Sequence, residues 1–411
     1  MAQRCVATNG RLSWHLHQRS NQKSLIEEGA ASEHIISHNV YPERPTIDAR
    51  SWKMIVSYYV ERAPQRLPPL QKIAVAPSSI FTAVRPQFTL RPPSSTFAHI
   101  NDETGDVTLG DAVSGTVYSL SPQLGEVRRD STGETPVWVT WQSDGRMVAI
   151  MGSFSPTDAP SGRVVFIPLD RSKPLRTIIG ALQRPIHHSV ADLDSDGDMD
   201  LVVCEFGKWT GGLSMWRNNG ATYDRIELRS GPGATRTEIR DWNNDGRPDI
   251  LALFAQGNEE LVVFLNMGTG TFEEQNILRF PPSWGSSFFT VDDVDSEFLP
   301  MHGAYGAISC DFDLDGDIDI AAISFFPDYS EVPVRGFMLF ENTGNRTYRA
   351  NTFPEVGSGR WIVMDSGDID RNGDRDLILG SLAFEVPGKD NFVQGWVKNA
   401  MPFVILENRT K

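Results

Sequence analysis

Short apolar runs recur along this chain, each preceded by a polar segment with acidic residues on alternate positions. The runs are Leu201 to Cys204, Ile250 to Phe254, Ile320 to Ser324 and Leu377 to Leu379. They are short, partly β-branched and soon broken by Gly or Pro, which predicts buried strands rather than helices. A second apolar element follows each: Leu213 to Asn218, Val262 to Asn266, Phe337 to Asn342 and Phe403 to Asn408. Three of these close on Asn-x-Gly, at Asn218, Asn266 and Asn342, with an aromatic (Tyr223, Phe272, Tyr348) just beyond, a strand–turn–strand signature.

The polar segments share one phrase. It reads Asp192-Leu-Asp-Ser-Asp-Gly-Asp-Met-Asp200, then Asp241-Trp-Asn-Asn-Asp-Gly-Arg-Pro-Asp249, Asp311-Phe-Asp-Leu-Asp-Gly-Asp-Ile-Asp319 and Asp368-Ile-Asp-Arg-Asn-Gly-Asp-Arg-Asp376. The first aspartates are 49, 70 and 57 residues apart. Periods near 50 with three or four strands each predict an all-β fold, a β-propeller of six to seven blades. Two metal-free units precede residue 190: Phe97 to Gly110 running into Gly115 to Leu120, and Val137 to Trp141 with Met147 to Met151 and Arg163 to Ile167. Inside the 70-residue interval, Thr290 to Ser296 looks like the start of another acidic loop with no Asp-Gly-x-x-Asp to complete it. The preferred reading there is a truncated blade near 293–310, and the alternative is a long surface loop.

Carboxylates this dense need a hard cation. At ~5 Å and an effective dielectric of ~20, each like-charge pair costs about 3 kcal/mol, and Ca²⁺ removes that cost with six to eight oxygen ligands. The expected side-chain ligands stand at positions one, three, five and nine: Asp192, Asp194, Asp196 and Asp200; Asp241, Asn243, Asp245 and Asp249; Asp311, Asp313, Asp315 and Asp319; Asp368, Asp370, Asn372 and Asp376. The position-seven carbonyls of Asp198, Arg247, Asp317 and Asp374 are the expected fifth ligands. Gly197, Gly246, Gly316 and Gly373 allow the sharp turn. About four Ca²⁺ sites follow, the second the weakest for its fewer charges. An EF-hand is excluded: it needs a bidentate Glu at position twelve, where Val203, Ala252, Ala322 and Leu379 stand.

Net charge changes the picture only locally. The formal charge is −15, against nucleic-acid binding, yet the four loops alone carry 17 acidic side chains. Cys5, Cys204 and Cys310 form no C-x-x-C, so neither a disulfide framework nor haem attachment is expected. No run of 18 apolar residues predicts a transmembrane helix, and the polar, basic first 24 residues show no secretory signal.

On these loops the chain resembles the FG-GAP/VCBS repeats, the calcium-loop blades also seen in integrin α-subunit propellers. The motif covers roughly 185–411, with the strand pattern extending weakly to 75, and Phe206-Gly207 stands where the family's FG would. Met301 to Gly306 and Ile323 to Asp328 look like a bacterial subgroup in which the propeller follows a small cytochrome c-like domain. A helix predicted after Asp48, with Trp52, Ile55, Val56 and Tyr59 on one face and a stop at Ala63-Pro64, is similar to the last helix of that domain. The haem-binding Cys pair and His are absent, so no haem is expected. The expected organisation is 1–40 as a remnant or disordered segment, 41–68 as a helical remnant and 75–411 as the propeller.

The resemblance implies a calcium-stabilised binding or scaffold module for a protein or glycan, placed in the periplasm, at the cell surface or outside the cell. The alternatives are a polysaccharide lyase or hydrolase on the same scaffold, and an accessory of a haem electron-transfer system. No G-x-S-x-G, P-loop or H-E-x-x-H occurs. His187 and His188 are expected as packed or rim residues, and Trp242, Trp284 and Trp361 are weaker candidates for a carbohydrate platform.

Overall fold

The computed structural model describes residues 3–8, 11–16, 35–36, 49–62, 74–255, 260–268, 270–279, 301, 304–325, 327, 329, 331–344, 347–384, 386 and 389–411. The chain divides into two compact units, one of 1–73 with 383–398 and one of 74–382 with 399–411.

The larger unit consists of six antiparallel sheets taken from the chain in order. The first holds β6 (Ser95–Ile100), β7 (Val107–Asp111), β8 (Thr116–Leu120) and β9 (Glu126–Ser131). The second holds β10 (Pro136–Gln142), β11 (Gly145–Ile150), β12 (Gly162–Pro168) and β13 (Arg176–Leu182). The third is β14 (Pro185–Ala191), β15 (Asp200–Glu205), β16 (Gly212–Asn218) and β17 (Tyr223–Ser230). The fourth is β18 (Ala234–Arg240), β19 (Asp249–Phe254), β20 (Glu260–Asn266) and β21 (Phe272–Arg279). The fifth is β22 (Ala304–Cys310), β23 (Asp319–Ser324), β24 (Phe337–Asn342) and β25 (Tyr348–Thr352), with β4 (Ala76–Pro77) added parallel at its edge.

The sixth sheet closes the set. It joins β26 (Trp361–Gly367), β27 (Asp376–Ser381) and β28 (Phe403–Asn408) to β5 (Phe81–Val84), from the start of the unit. Phe81 pairs with Asn408 and Val84 with Ile405. The last blade thus takes its outer strand from the segment that leads into the first blade, so the two ends of the unit share one sheet and no edge is left between them. Six up-and-down four-stranded sheets in sequence order define a six-bladed β-propeller.

Burial explains why each strand sits where it does. The second strands β11, β15 and β27 are buried throughout because they pack on both faces. Outer strands such as β9 and β17 alternate with solvent. The apolar clusters lie between blades rather than within them. Phe97, Val117, Val148 and Ile167 join the first and second blades, and Val164, Phe166, Leu201 and Val203 the second and third. Val202, Met215, Ile250 and Phe264 join the third and fourth. Phe337, Leu339, Trp361 and Leu379 join the fifth and sixth, and Ile378, Phe403, Ile100 and Leu109 bring the sixth back to the first.

Residues 304–310, placed by the sequence within a truncated blade, are the innermost strand of the complete fifth blade; Thr290 to Ser296 lies outside the described residues.

The smaller unit carries β1 (Gln3–Thr8), β2 (Arg11–Leu16) and β3 (Ile35–Ile36) in one antiparallel sheet, the expected helix as α1 (Ala49–Arg62), and α2 (Asp390–Asn399). Asp48 and Ala63-Pro64, its expected cap and stop, lie outside the described residues. The second helix, inserted between β27 and β28, was not legible in the repeat pattern. Its first turn holds Asp390 and its last Lys398, the charge order that suits a helix dipole.

Candidate metal centres

All four acidic loops join the first strand of a blade to the second, so they occupy equivalent places at one end of the propeller: β14–β15, β18–β19, β22–β23 and β26–β27. No helix flanks any of them. The four share one backbone shape. The position-four residues Ser195, Asn244, Leu314 and Arg371 have φ of 63°, 60°, 60° and 60°, left-handed values that non-glycine residues rarely adopt. The glycines two residues on (Gly197, Gly246, Gly316, Gly373) have φ from 85° to 98°.

The first aspartate of each loop holds that shape. Asp192, Asp241, Asp311 and Asp368 each accept the position-five N–H on one oxygen and the glycine N–H on the other, at 2.9–3.1 Å. The position-five side chains Asp196, Asp245, Asp315 and Asn372 accept the position-seven N–H at 2.8–3.0 Å.

The ninth aspartates serve the frame as well as the loop. Asp200, Asp249, Asp319 and Asp376 are fully buried. Each accepts the position-two N–H (Leu193, Trp242, Phe312, Ile369) at 2.8–3.0 Å on Oδ2. Each accepts on Oδ1 the N–H of the asparagine ending the third strand (Asn218, Asn266, Asn342, Asn408), at 2.7–2.8 Å. These asparagines were visible in sequence only as turn residues. In the fold their Nδ2 groups also reach the position-eight carbonyls of Met199, Pro248, Ile318 and Arg375.

Three loops bring carboxylates to a common focus. One oxygen from each of Asp192, Asp194 and Asp200 lies within 4.8 Å of the others, and the same holds for Asp311, Asp313 and Asp315 and for Asp368, Asp370 and Asp376. Asp194 Oδ1 is buried and accepts no hydrogen bond, and neither does buried Asp374 Oδ1. Asp198 and Asp317 are exposed, whereas Asp374 is buried and takes the Lys411 N–H at 3.0 Å on its other oxygen.

Electrostatics agree with crowding. Burial, reinforced by the neighbouring Asp370 and Asp374 charges, pushes Asp376 up to about 6. Burial does the same to Asp313, also about 6, with Asp319 and Asp315 adding to it. Asp200 and Asp319 are raised as well, chiefly by burial. Oxygens held this close, with one of the converged residues (Asp194) keeping a buried Oδ1 without a donor, suit a hard divalent cation bound through oxygen.

The second loop differs. Asp241, Asp245 and Asp249 do not form such a three-carboxylate focus among the described residues. Arg247, at position seven, turns its guanidinium onto Asp245 and gives its Nε–H to the Asn266 carbonyl at 2.6 Å. A cation is thus already supplied by the chain, and an Arg side chain cannot ligate a metal.

The other sequence candidates fall elsewhere. His187 and His188 are buried, His187 against the Trp138 ring at 4.3 Å and His188 hydrogen-bonded through Nε2 to Thr140 at 2.9 Å. Trp361 is a core residue, Trp242 is 43% exposed, and Trp284 lies outside the described residues. Cys204 is a buried free thiol and Cys310 a half-buried one. In the family's FG position, the Phe206 ring lies under Arg184, and Gly207 adopts φ 60°.

Fold and loops together define a β-propeller whose blades carry acidic hairpin loops. Residues 192–252 and 241–297 match the FG-GAP-like repeat, so this part of the chain is built of FG-GAP-like repeats. No curated protein matches the chain. Among solved structures, regucalcin from Agrobacterium tumefaciens, described as calcium-binding, aligns at 11% identity over 82% of this chain and 98% of its own, with a TM-score of 0.44. BBS1N in complex with ARL6DN aligns at 11% identity over 82% and 99%, with a TM-score of 0.46. A luciferin-regenerating enzyme aligns at 11% over 79% and 95%, with a TM-score of 0.42. At these scores the propeller assignment rests on the sheet topology.

Proposed function

We propose that this protein is a calcium-stabilised propeller that acts as a binding or scaffold module for a protein or glycan partner, with the metal structural rather than catalytic. The carrying observation is the convergence of three carboxylates within 4.8 Å in each of three loops. At neutral pH such loops repel unless a divalent cation joins them. The side chains at positions one, three, five and nine would hold the ion, with the position-seven carbonyl beside them. The bound ion supplies positive charge and fixes the hairpin ends of neighbouring blades. The loops with three converged carboxylates take calcium first, and the Arg247-covered loop takes it last. Extracellular modules work at free calcium of about 10⁻⁴–10⁻³ M, which suits a periplasmic, surface or secreted placement. No helix among the described residues is long and apolar enough to cross a membrane.

Thermal unfolding in calcium and in chelator tests the metal. At 100-fold excess over its dissociation constant each ion adds about 2.7 kcal/mol, which several sites turn into a rise of many degrees. A melting temperature indifferent to chelator would remove the metal from the reading. A glycan array on the calcium-loaded protein then separates the partner classes: binding supports a glycan, and a silent array leaves a protein.

A further inference from the structure

We infer that Asn266 and Asn408 are positioning residues, each shared between two metal loops, so that the loops work as two pairs: the first with the second, and the third with the fourth. This deepens the calcium reading and rests on it.

The four asparagines that end the third strands occupy one structural position, yet among the described residues only two reach into a neighbouring blade. Asn266 gives its backbone N–H to Asp249, the ninth residue of its own loop, at 2.7 Å. Its Nδ2 crosses to the third blade and donates to the Leu193 carbonyl at 2.7 Å. Asn408 repeats this: backbone N–H to Asp376 at 2.7 Å, and Nδ2 across to the Phe312 carbonyl of the fifth blade at 2.8 Å.

The carbonyls they reach matter. Leu193 lies between the candidate ligands Asp192 and Asp194, and Phe312 between Asp311 and Asp313. The N–H of each is already fixed by its own ninth aspartate, at 3.0 and 2.9 Å. The asparagine from the next blade fixes the carbonyl side. That N–H and that carbonyl belong to successive planar peptide groups, so fixing one atom of each orients both planes and with them the directions in which the two flanking carboxylates leave the backbone. Closing one loop on a cation therefore orients the ligands of its neighbour.

The third and fourth loops are joined further. The Thr410 hydroxyl shares its one proton between Asn408 Oδ1 at 2.7 Å and the Phe312 carbonyl at 3.1 Å. Lys411 gives its N–H to Asp374 at 3.0 Å and its Nζ to the Gly373 carbonyl at 2.8 Å. Residues 408–411 thus clasp both loops.

Between the second and third loops the link is missing among the described residues. Asn342 keeps its Nδ2 on Ile318 of its own blade at 3.3 Å. Among the described residues the Trp242 carbonyl, the counterpart of those of Leu193 and Phe312, receives no side-chain donor, and Trp242 is exposed where Leu193, Phe312 and Ile369 are buried. The chain of contacts therefore breaks into pairs there.

The test reads the third loop alone. In a Trp242→Phe background, which removes the tryptophan of the second loop, terbium substitutes for calcium and an Ile318→Trp reporter at an exposed position of the third loop sensitises its emission. Asp370→Asn, a lesion in the fourth loop, is expected to raise the half-saturating terbium concentration of the third loop about two- to tenfold, the worth of one hydrogen bond. Asp241→Asn, a lesion in the second loop at a residue that accepts two backbone N–H bonds, is expected to leave it unchanged. The Asp370→Asn effect is expected to vanish in an Asn408→Ala background and to shrink in the milder Thr410→Val. Equal shifts from both lesions, or a fourth-loop effect that survives Asn408→Ala, would overturn the pairing. If no sensitised terbium emission develops, it is the calcium reading that fails. Amide exchange in chelator then decides the pairing separately: Asn408→Ala must speed exchange at Asp315 and Gly316, and unchanged rates sink it.

Discussion

Asn408 donates its backbone N–H to Asp376 at 2.7 Å, which ties the end of the last strand to the acidic loop of the same blade. The same bond occurs in all four loop-bearing blades, so the ninth aspartate is as much a frame residue as a candidate ligand.

Substitution at that position is therefore expected to damage the fold even without metal. Asp200→Ala strips acceptors from the Leu193 and Asn218 N–H groups. Buried donors left unpaired cost about 1–3 kcal/mol each. Denaturant unfolding in chelator should show Asp200→Ala losing at least about 2 kcal/mol more than Asp198→Ala, whose side chain is exposed. Equal losses would refute the frame role.

The second loop should bind calcium better once its guanidinium is removed. Arg247 neutralises Asp245. Arg247→Gln is expected to tighten one site in calorimetric titration several-fold, consistent with a partly exposed ion pair worth up to about 1 kcal/mol. Unchanged or weaker binding at every site would count against the role given to Arg247.

Acid should destabilise the propeller through its third blade. Burial lowers His188 to about 3 and holds His187 well below the usual histidine range, so both stay neutral in the fold. The unfolded chain binds a proton on each below pH ~6.5, so it takes up more protons than the native state. Stability contributed by the neutral form is thus complete above pH ~6.5 and falls on acidification by about 1.4 kcal/mol per unit per histidine, toward pH ~3 for His188. Measured in chelator, His188→Gln should flatten the decline between pH 6.5 and 4. An acid limb identical to the parent's would contradict this.

Gly207 should not tolerate a side chain. A Cβ there would lie 1.6 Å from the Thr210 carbonyl oxygen, and the backbone is left-handed at φ 60°. Gly207→Ala is expected to cost about 2–4 kcal/mol in urea unfolding. Gly246→Ala makes the control: its φ is 85° but no atom lies within 4 Å, so it carries the backbone strain without the clash. If the two variants unfold alike, the close packing at the FG position is not what holds that turn.

The acidic loops were legible because each is local: candidate ligand positions one to nine fit within one turn, and strand periodicity on either side fixes its ends. The left-handed backbone at position four is not marked in the sequence, since Leu314 and Arg371 carry no turn signature; the loop's own hydrogen bonds hold them there. Asn266 and Asn342 read alike in sequence, both opening Asn-x-Gly, yet one crosses to the next blade and the other does not.

From its residues alone the chain determines the repeat, the strands around each loop and a clustered acidity that calls for a hard cation. These depend on neighbours within about ten positions. Only the tertiary structure decides that there are six blades, that Phe81–Val84 completes the last one, that Arg247 covers the second loop and that Asn266 and Asn408 reach the loops of neighbouring blades. Those outcomes depend on residues far apart in the chain whose meeting is set by how the sheets pack, and no local pattern records that.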